Sequence, residues 1–142
     1  MSEKRIRVAL IGVDLFEAAS AIIGAVGLVV GFMAIPVSVL STTPFADFAV
    51  PALLLGVVVG GSALAAGIVT LLEIRRWDAL ASAAAGCITL GWLTIEIAMI
   101  GLATPAQVVW WLVGLLMVVL AVLLWHAERE AVARDVLHAV PR

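Results

Sequence analysis

Charged residues and cysteine are both scarce in this chain of 142 residues. Charged residues make up 13% and hydrophobic residues 65%, whereas a soluble domain carries about 25% charged and roughly 45–50% apolar residues. The single cysteine, Cys87, excludes an internal disulfide and a cysteine-based zinc cluster. The net charge of −2 provides no basic surplus for a phosphate backbone, so we expect no nucleic-acid partner.

The apolar residues are too numerous to be buried inside a protein of 14.8 kDa, and the mean hydropathy is +1.25. This balance disfavours a soluble enzyme or a disordered chain and predicts an integral membrane protein. A helix needs about 20 apolar residues to cross a bilayer. Four stretches qualify: residues 12–35, 49–72, 79–102 and 107–125. We therefore predict an all-α integral membrane protein, a four-transmembrane-helix bundle in one membrane domain, with a cytoplasmic helical tail at 126–142.

The positions of the cations predict the orientation of the bundle. None lies in the connections at 36–48 and 103–106, and all eight lie before the first span, between the second and third, or after the fourth. The positive-inside rule then places both termini in the cytoplasm. Asp14 and Glu17 interrupt the apolar run that a cleaved signal peptide would need, so we expect the first span to be retained. The eight cations are Lys4, Arg5, Arg7, Arg75, Arg76, Arg129, Arg134 and Arg142.

Small residues recur every three or four positions in the first two spans. Lipid tails are as apolar as leucine, so helices in a membrane associate by close packing at small residues. One interpretation is packing inside a single bundle, which we favour because every helix needs an internal face. The other is self-association through the two Gly-x-x-x-Gly motifs. The predicted packing residues are Ser20, Gly24, Gly27 and Gly31 in the first span, and Gly56, Gly60 and Gly67 in the second.

Three acidic residues lie within the predicted spans. Glu17 is five residues inside the first span and Glu96 is six residues from the opposite end of the third, while Asp14 lies nearer an edge. A carboxyl group inside a membrane is costly and marks a functional site by default. The two glutamates lie more than about 10 Å apart in height, which excludes a direct pair and suggests two stations on a polar path.

A structural role is the alternative for these acidic residues. A protonated carboxyl group can donate a hydrogen bond and thereby join two helices. In that interpretation each glutamate binds a backbone carbonyl or one of the hydroxyl groups of Ser62, Thr70 and Thr94.

Asp14 has a further possible role at the predicted cytoplasmic end of the bundle. Together with Asp78 and His126 it could hold a cation or a metal ion. The spacing of these ligands is not diagnostic, and Arg75 and Arg76 lie at the same level. We therefore favour an interfacial cluster of salt bridges and expect no metal and no cofactor.

Two short motifs carry a resemblance. The connection after the first span contains Pro-Phe-Ala-Asp-Phe at residues 44–48, and Trp92 and Glu96 form a Trp-x-x-x-Glu element in the third span. On these motifs the chain resembles a group of small, uncharacterised bacterial four-span membrane proteins. The resemblance implies the same fold and no particular activity. The use of arginine in seven of the eight cations also suits a high-GC bacterium, which predicts a bacterial plasma-membrane location.

The size and the glutamate in the first span are also similar to the small multidrug transporters. The eight cations on one side and none on the other oppose the dual insertion that is typical of that family. The first outer loop of that family is also shorter than the connection at residues 36–48 of this chain. This resemblance is therefore disfavoured and remains a distant analogy.

Two functions remain open on the sequence. No Ser-His-acid set, phosphate loop or spaced metal ligands are present, so we predict that the protein is not an enzyme. The first hypothesis is a non-catalytic accessory subunit or self-associating bundle, whose partners are the lipid bilayer and either a second copy or a larger membrane complex. The alternative is a small proton-coupled transporter or channel, in which Glu17 titrates and Glu96 is a second station. A cavity lined by both glutamates would favour the alternative.

Overall fold

The computed structural model of the chain describes residues 2–74, 77–102 and 104–139. Four long helices follow one another, and each contains a stretch long and apolar enough to cross a membrane. This confirms the predicted all-α fold with four candidate membrane-spanning helices. A short 3₁₀ helix, Val37–Thr42, lies between the first two. The helices are α1 (Glu3–Val30), α2 (Ala49–Leu71), α3 (Asp78–Ile100) and α4 (Pro105–Ala139).

The four helices form a closed bundle. Each helix packs against the next one along the chain, and α4 packs against α1. Short connections between consecutive helices make neighbours antiparallel. We call the end where α1 and α3 begin the arginine end, after Arg7, and the opposite end, with the 3₁₀ helix, the loop end.

Glycine and proline set the helix bounds at the loop end. Gly31 ends α1 in the left-handed conformation, with φ of 73°, which glycine adopts without steric cost. Pro105 begins α4, where its missing N–H group would have no helical partner. Gly31 therefore ends α1 at Val30 rather than at residue 35. At the arginine end, α1 begins at Glu3 rather than at residue 12.

The middle of α2 widens into a π-helix over Leu54–Gly60. Such segments are rare and occur frequently at functional sites. Two of its residues are glycines that approach α1 closely. A Cβ atom on Gly56 would lie 2.9 Å from the Cβ atom of Ala25, and one on Gly60 would lie 3.0 Å from Cγ1 of Ile22.

Glycines also permit close packing between α1 and α2 and between α3 and α4. A Cβ atom on Gly67 would lie 2.9 Å from Cδ2 of Leu15, so α2 contacts α1 there as well. Between α3 and α4, a Cβ atom on Gly86 would lie 2.8 Å from the carbonyl oxygen of Gly114. Added side chains at these positions would force the helices apart.

The packing face of α1 differs from the one predicted from small residues. Ser20 is half-buried, and its hydroxyl group donates to the carbonyl oxygen of Phe16 in its own helix. Gly27 is buried, but it faces Phe32, which follows α1, and Gly31 is exposed with no atom near its Cβ position. Gly24 does face α2, where a Cβ atom would lie 3.3 Å from a methyl group of Leu55. The buried stripe instead follows a seven-residue pattern that includes the acidic side chains: Leu10, Asp14, Glu17, Ala21 and Gly24.

A polar column and a cavity inside the bundle

Polar side chains form one column through the bundle, on the buried faces of α1 and α3. Within each helix these residues are separated by three, four or seven positions, and such spacings return to the same helix face. Because the outside of the bundle is apolar, this column is where polar chemistry is concentrated. Its members are Arg7, Asp14 and Glu17 on α1, and Asp78, Ser82, Thr89 and Glu96 on α3.

At the arginine end, Arg7 joins acidic side chains of three helices. Its Nη1 donates to Oδ2 of Asp78, and its Nη2 donates to Oε1 of Glu128 at 2.6 Å and to Oε1 of Glu3 at 3.3 Å. Arg7 is buried, and Asp78 has no exposed surface. A buried ion pair is costly to break because the remaining charge is left without a partner. This cluster therefore holds α1, α3 and α4 together.

The composition of this cluster differs from the prediction. A salt-bridge cluster was expected at this end, but its cation is Arg7, which the sequence did not single out. Asp14 lies deeper in the bundle, and His126 is exposed. Arg75 and Arg76 lie outside the described residues. Within the part of the chain that the structure describes, no three His, Cys, Asp or Glu side chains are grouped to hold a metal ion.

The next level of the column is a buried set of hydroxyl and carboxyl groups. The hydroxyl group of Ser82 donates to Oδ2 of Asp14 at 2.6 Å and lies 3.3 Å from the hydroxyl oxygen of Thr70. All three side chains are completely buried. The second carboxyl oxygen of Asp14 has no hydrogen-bond partner among the described residues. Asp14 is thus held on one side only.

Glu17 occupies the middle of the column. The hydroxyl group of Thr89 donates to its Oε1 at 3.3 Å. Its Oε2 is buried and has no partner among the residues that the structure describes. Although only 3% of Glu17 is exposed, the residue lines a cavity of about 450 Å³ that reaches towards the loop end. Glu17 is therefore a buried carboxyl group at the wall of a cavity.

Glu96 lies at the loop end of the same cavity. The amide Nε2 of Gln107 donates to its Oε1 at 2.9 Å and also contacts the carbonyl oxygen of Gly101 at 3.4 Å. Glu96 and Trp92 also line a second cavity of about 500 Å³. The Nε1 of Trp92 is buried without a partner among the described residues. The two glutamates that the sequence singled out are therefore brought to one cavity.

The partners of the glutamates are not those predicted. The hydroxyl groups of Ser62 and Thr94 donate to carbonyl groups of their own helices, and Thr70 contacts Ser82. The actual partners, Thr89 and Gln107, come from α3 and α4. The sequence does contain a signal that Thr89 faces the interior. It lies seven residues before Glu96 and therefore on the same face of α3.

Comparison with protein-family models, with curated proteins and with solved structures finds no match for the chain. The fold and the site define a class by geometry: a bundle of four candidate membrane helices with carboxyl groups on a central polar column.

Proposed function

We propose that this protein is a small proton-coupled transporter of the bacterial plasma membrane and that Glu17 is the group that exchanges the proton. One observation carries the proposal. Glu17 and Glu96, at different heights in the bundle, line one cavity, and Glu17 turns a partnerless oxygen into the buried interior. A carboxyl group that served only to join helices would be expected to have both oxygens bonded.

The cavity extends from Glu17 towards the loop end of the bundle. It extends from Thr104 and Ala106, beside the start of α4, to Glu17 and Thr89 in the middle. A carboxyl group among apolar side chains is more stable neutral than ionised, unless a partner offsets the cost of burying the charge. Entry of water or of a cationic ligand through the cavity would therefore control when Glu17 releases its proton.

The other side of Glu17 is closed. Asp14, Ser82 and Thr70 fill the column without exposed surface, and the Arg7 cluster lies beyond them. A transporter presents its central site to one side of the membrane at a time. A central site with a cavity on its loop-end side and filled packing on its arginine-end side supports this function. Asp14, one helical turn from Glu17 on the same face, would be the next proton acceptor.

The orientation follows from the cations. With the positive residues at the arginine end, that end and both termini would face the cytoplasm. The loop-end part of the cavity would then lie on the outer side of the membrane. Protons entering from outside would reach Glu96 first and Glu17 second.

The use of the glycines inside the bundle weakens the argument for self-association. Gly56 and Gly60 form the Gly-x-x-x-Gly motif of α2, and both contact α1 of the same chain. The motif is thus occupied by internal packing and does not favour a second copy.

Proton flux in liposomes tests the proposal. We expect the reconstituted protein to show an uncoupled proton leak through Glu17 even without a transported ligand, and therefore to dissipate a pH gradient faster than protein-free liposomes, measured with a trapped pH-sensitive dye. Glu17→Gln should reduce the rate to the protein-free level, because the amide cannot exchange a proton, and Glu96→Gln should reduce it less. Glu73→Gln is the matched control, since Glu73 is exposed in the connection after α2. Equal flux in the wild-type and Glu17→Gln proteins would contradict the proposal, provided that both elute as the same species in detergent.

A further inference from the structure

The second cavity, of about 500 Å³, lies beside the proposed proton site and extends away from Glu17. We infer that it binds one acyl chain of a phospholipid without net charge, and that the chain enters from the side, between α2 and α3. Four features carry this inference, which does not rest on the proposed function: the shape of the cavity, its length, its exposed edge and the chemistry of its walls.

The second cavity is a groove that runs lengthwise between α2 and α3. On α3 its lining residues recur every three or four positions from Ile88 to Met99, which places them on one face of the helix. Pro51, Leu54 and Val58 repeat these spacings on α2. The groove therefore follows the helix axes, which is the shape that an unbranched chain requires.

The length of the groove matches one leaflet of a bilayer. Its lining on α3 extends from Ile88 to Ile100 at the loop end, a separation of 12 positions, or about 18 Å along the helix axis. The hydrocarbon core of a bilayer is about 30 Å thick, so one leaflet contributes about 15 Å. A phospholipid whose head group lies at the loop end can thus place one chain along the whole groove.

Exposed residues in the lining show where the groove reaches the outside of the bundle. Gly91 of α3 lines it and is exposed, with no atom within 4 Å of its Cβ position. Val58 of α2 and Ile95 of α3 also line it, and they are 45% and 56% exposed. In a bundle that spans a membrane these residues face lipid. The groove is therefore continuous with the lipid-facing surface, and a chain can enter it without crossing the protein interior.

The walls of the groove suit a ligand that makes no hydrogen bonds. Apart from the indole of Trp92, the polar side chains in its lining are Thr43 and Glu96. The hydroxyl group of Thr43 donates to the carbonyl oxygen of Leu40. Glu96 accepts from Gln107, which lines the first cavity and not the second. An acyl chain leaves both hydrogen bonds in place.

The charge at the loop end indicates the head group. The connection at 36–48 contains no lysine, arginine or histidine, and its only charged residue is Asp47. An anionic head group has no cation to bind there and is repelled by the carboxylate. The head group of phosphatidylethanolamine has no net charge, and its ammonium group is attracted to a carboxylate. These residues therefore favour phosphatidylethanolamine over an anionic phospholipid.

Native mass spectrometry of the full chain, released from detergent that contains phosphatidylethanolamine, tests the site. We expect one lipid to stay bound at the collision energy that removes detergent and further lipids. Gly91→Leu should weaken the apparent affinity at least about ten-fold, because the added side chain would occupy the groove. Gly12→Leu is the matched control, since Gly12 is exposed, has no atom within 4 Å of its Cβ position and lies outside the lining. Equal binding by the two variants, or no bound lipid in the wild-type protein, would overturn the inference.

Two further probes identify the source of the chain. Phosphatidylglycerol with the same chains should bind more weakly than phosphatidylethanolamine, because its head group is anionic. Free palmitate, which offers a chain on a bare carboxylate, should also bind more weakly. A preference for phosphatidylglycerol would overturn the uncharged head group, and a preference for palmitate would overturn the assignment to a phospholipid.

Fluorescence quenching by brominated lipids locates the chain in liposomes. Trp92 lies eight positions from Ile100 along the groove, or about 12 Å from the loop end. Bromine near the methyl end of the chain should therefore quench Trp92 more than bromine near the head group. The contribution of Trp92 is obtained by comparison with Trp92→Phe in the same background.

The same glycine variants control the quenching measurement. Gly91→Leu should reduce the quenching of Trp92, and Gly12→Leu should leave it unchanged. Circular dichroism would establish that both variants retain the wild-type helix content. Quenching of equal strength in Gly91→Leu and the wild-type protein would overturn the location of the chain between α2 and α3.

Discussion

The two halves of the bundle differ in how completely their interiors are filled. In the arginine-end half, Leu10, Met117 and Leu124 have no exposed surface, and Arg7, Asp14 and Asp78 of the polar column are buried as well. In the loop-end half, two cavities of about 450 and 500 Å³ share the walls formed by Trp92 and Glu96. A filled half and a half with cavities thus meet in one short bundle, and Glu17 lies at the boundary between them.

The cause of this difference is the size of the side chains between α1 and α4. Towards the arginine end, Leu10 of α1 packs against Leu120 and Leu124 of α4. Towards the loop end, the cavity is bordered by Ala21 and Gly24 of α1. These small residues let α1 approach α2, but they leave the space towards α4 empty. Packing on one side of a helix can therefore create a site on its other side.

The largest effect is expected from breaking the closed end at Arg7. Arg7→Ala would leave the fully buried Asp78 without its cation, which should lower the free energy of unfolding by about 3–5 kcal/mol. Arg5→Ala is the control, because Arg5 is exposed on the same helical turn. Unfolding in mixed detergent micelles, followed by circular dichroism, measures both. A loss of equal size in the two variants would contradict a specific role of the cluster.

Truncation of one apolar side chain in each half compares their packing directly. Met117→Ala should cost about 2–5 kcal/mol of stability, because a completely buried side chain leaves a new cavity. Leu28→Ala should cost less than about 1 kcal/mol, because Leu28 already borders both cavities and makes fewer contacts to lose. The same unfolding measurement applies. The comparison of the halves fails if Leu28→Ala is as destabilising as Met117→Ala.

An added methyl group gives a third, smaller test within α3. Gly86→Ala would place a Cβ atom 2.8 Å from the carbonyl oxygen of Gly114, and we expect a loss of about 1–3 kcal/mol from overpacking. Gly91→Ala meets no atom within 4 Å and should be neutral or slightly stabilising, since alanine is the better helix former. Thermal unfolding of the two variants measures this difference. Similar unfolding temperatures for Gly86→Ala and Gly91→Ala would argue against close packing of α3 and α4.

The smallest effect concerns the connection beside the second cavity. The hydroxyl group of Thr42 donates to the carbonyl oxygen of Met99 at 2.7 Å and ties the 3₁₀ helix to α3. Thr42→Val should cost about 0.5–1.5 kcal/mol and increase hydrogen exchange in residues 37–48. Ser41→Ala, at an exposed neighbouring position, serves as the control. Unchanged exchange in Thr42→Val would mean that the connection is held by its apolar contacts alone.

The fold was predictable to the level of four helices because a backbone in lipid must satisfy its own hydrogen bonds, which leaves long apolar runs easy to recognise. The site was predictable in part. Acidic residues stand out within such runs, so Glu17, Glu96 and Asp14 could be named. Arg7 was missed because it precedes the apolar run and resembles the flanking cations. Its position seven residues before Asp14, on the same face of α1, was the available signal.

Other features depend on tertiary contacts that the sequence does not display. Gly31 lies in a row of small residues, but a glycine that ends a helix and one that packs against a neighbour look alike in the sequence. The partnership of Glu96 with Gln107 requires the end of α3 and the start of α4 to lie at the same height, which depends on the turn between them. The cavity forms where side chains from several helices do not fill the interior, and no single residue in the sequence indicates that.

The length of α4 has a mechanical consequence. One uninterrupted helix carries Gln107, which holds Glu96, and Glu128, which holds Arg7. These residues are separated by 21 positions, or about 32 Å along the helix axis, and a helix without a break moves as a rod. A displacement of α4 at Gln107 would therefore be transmitted along the helix to the contact between Glu128 and Arg7. Movement of α4 at the loop end would thus strain the ion pairs of Arg7 at the arginine end, without a rearrangement of the apolar core.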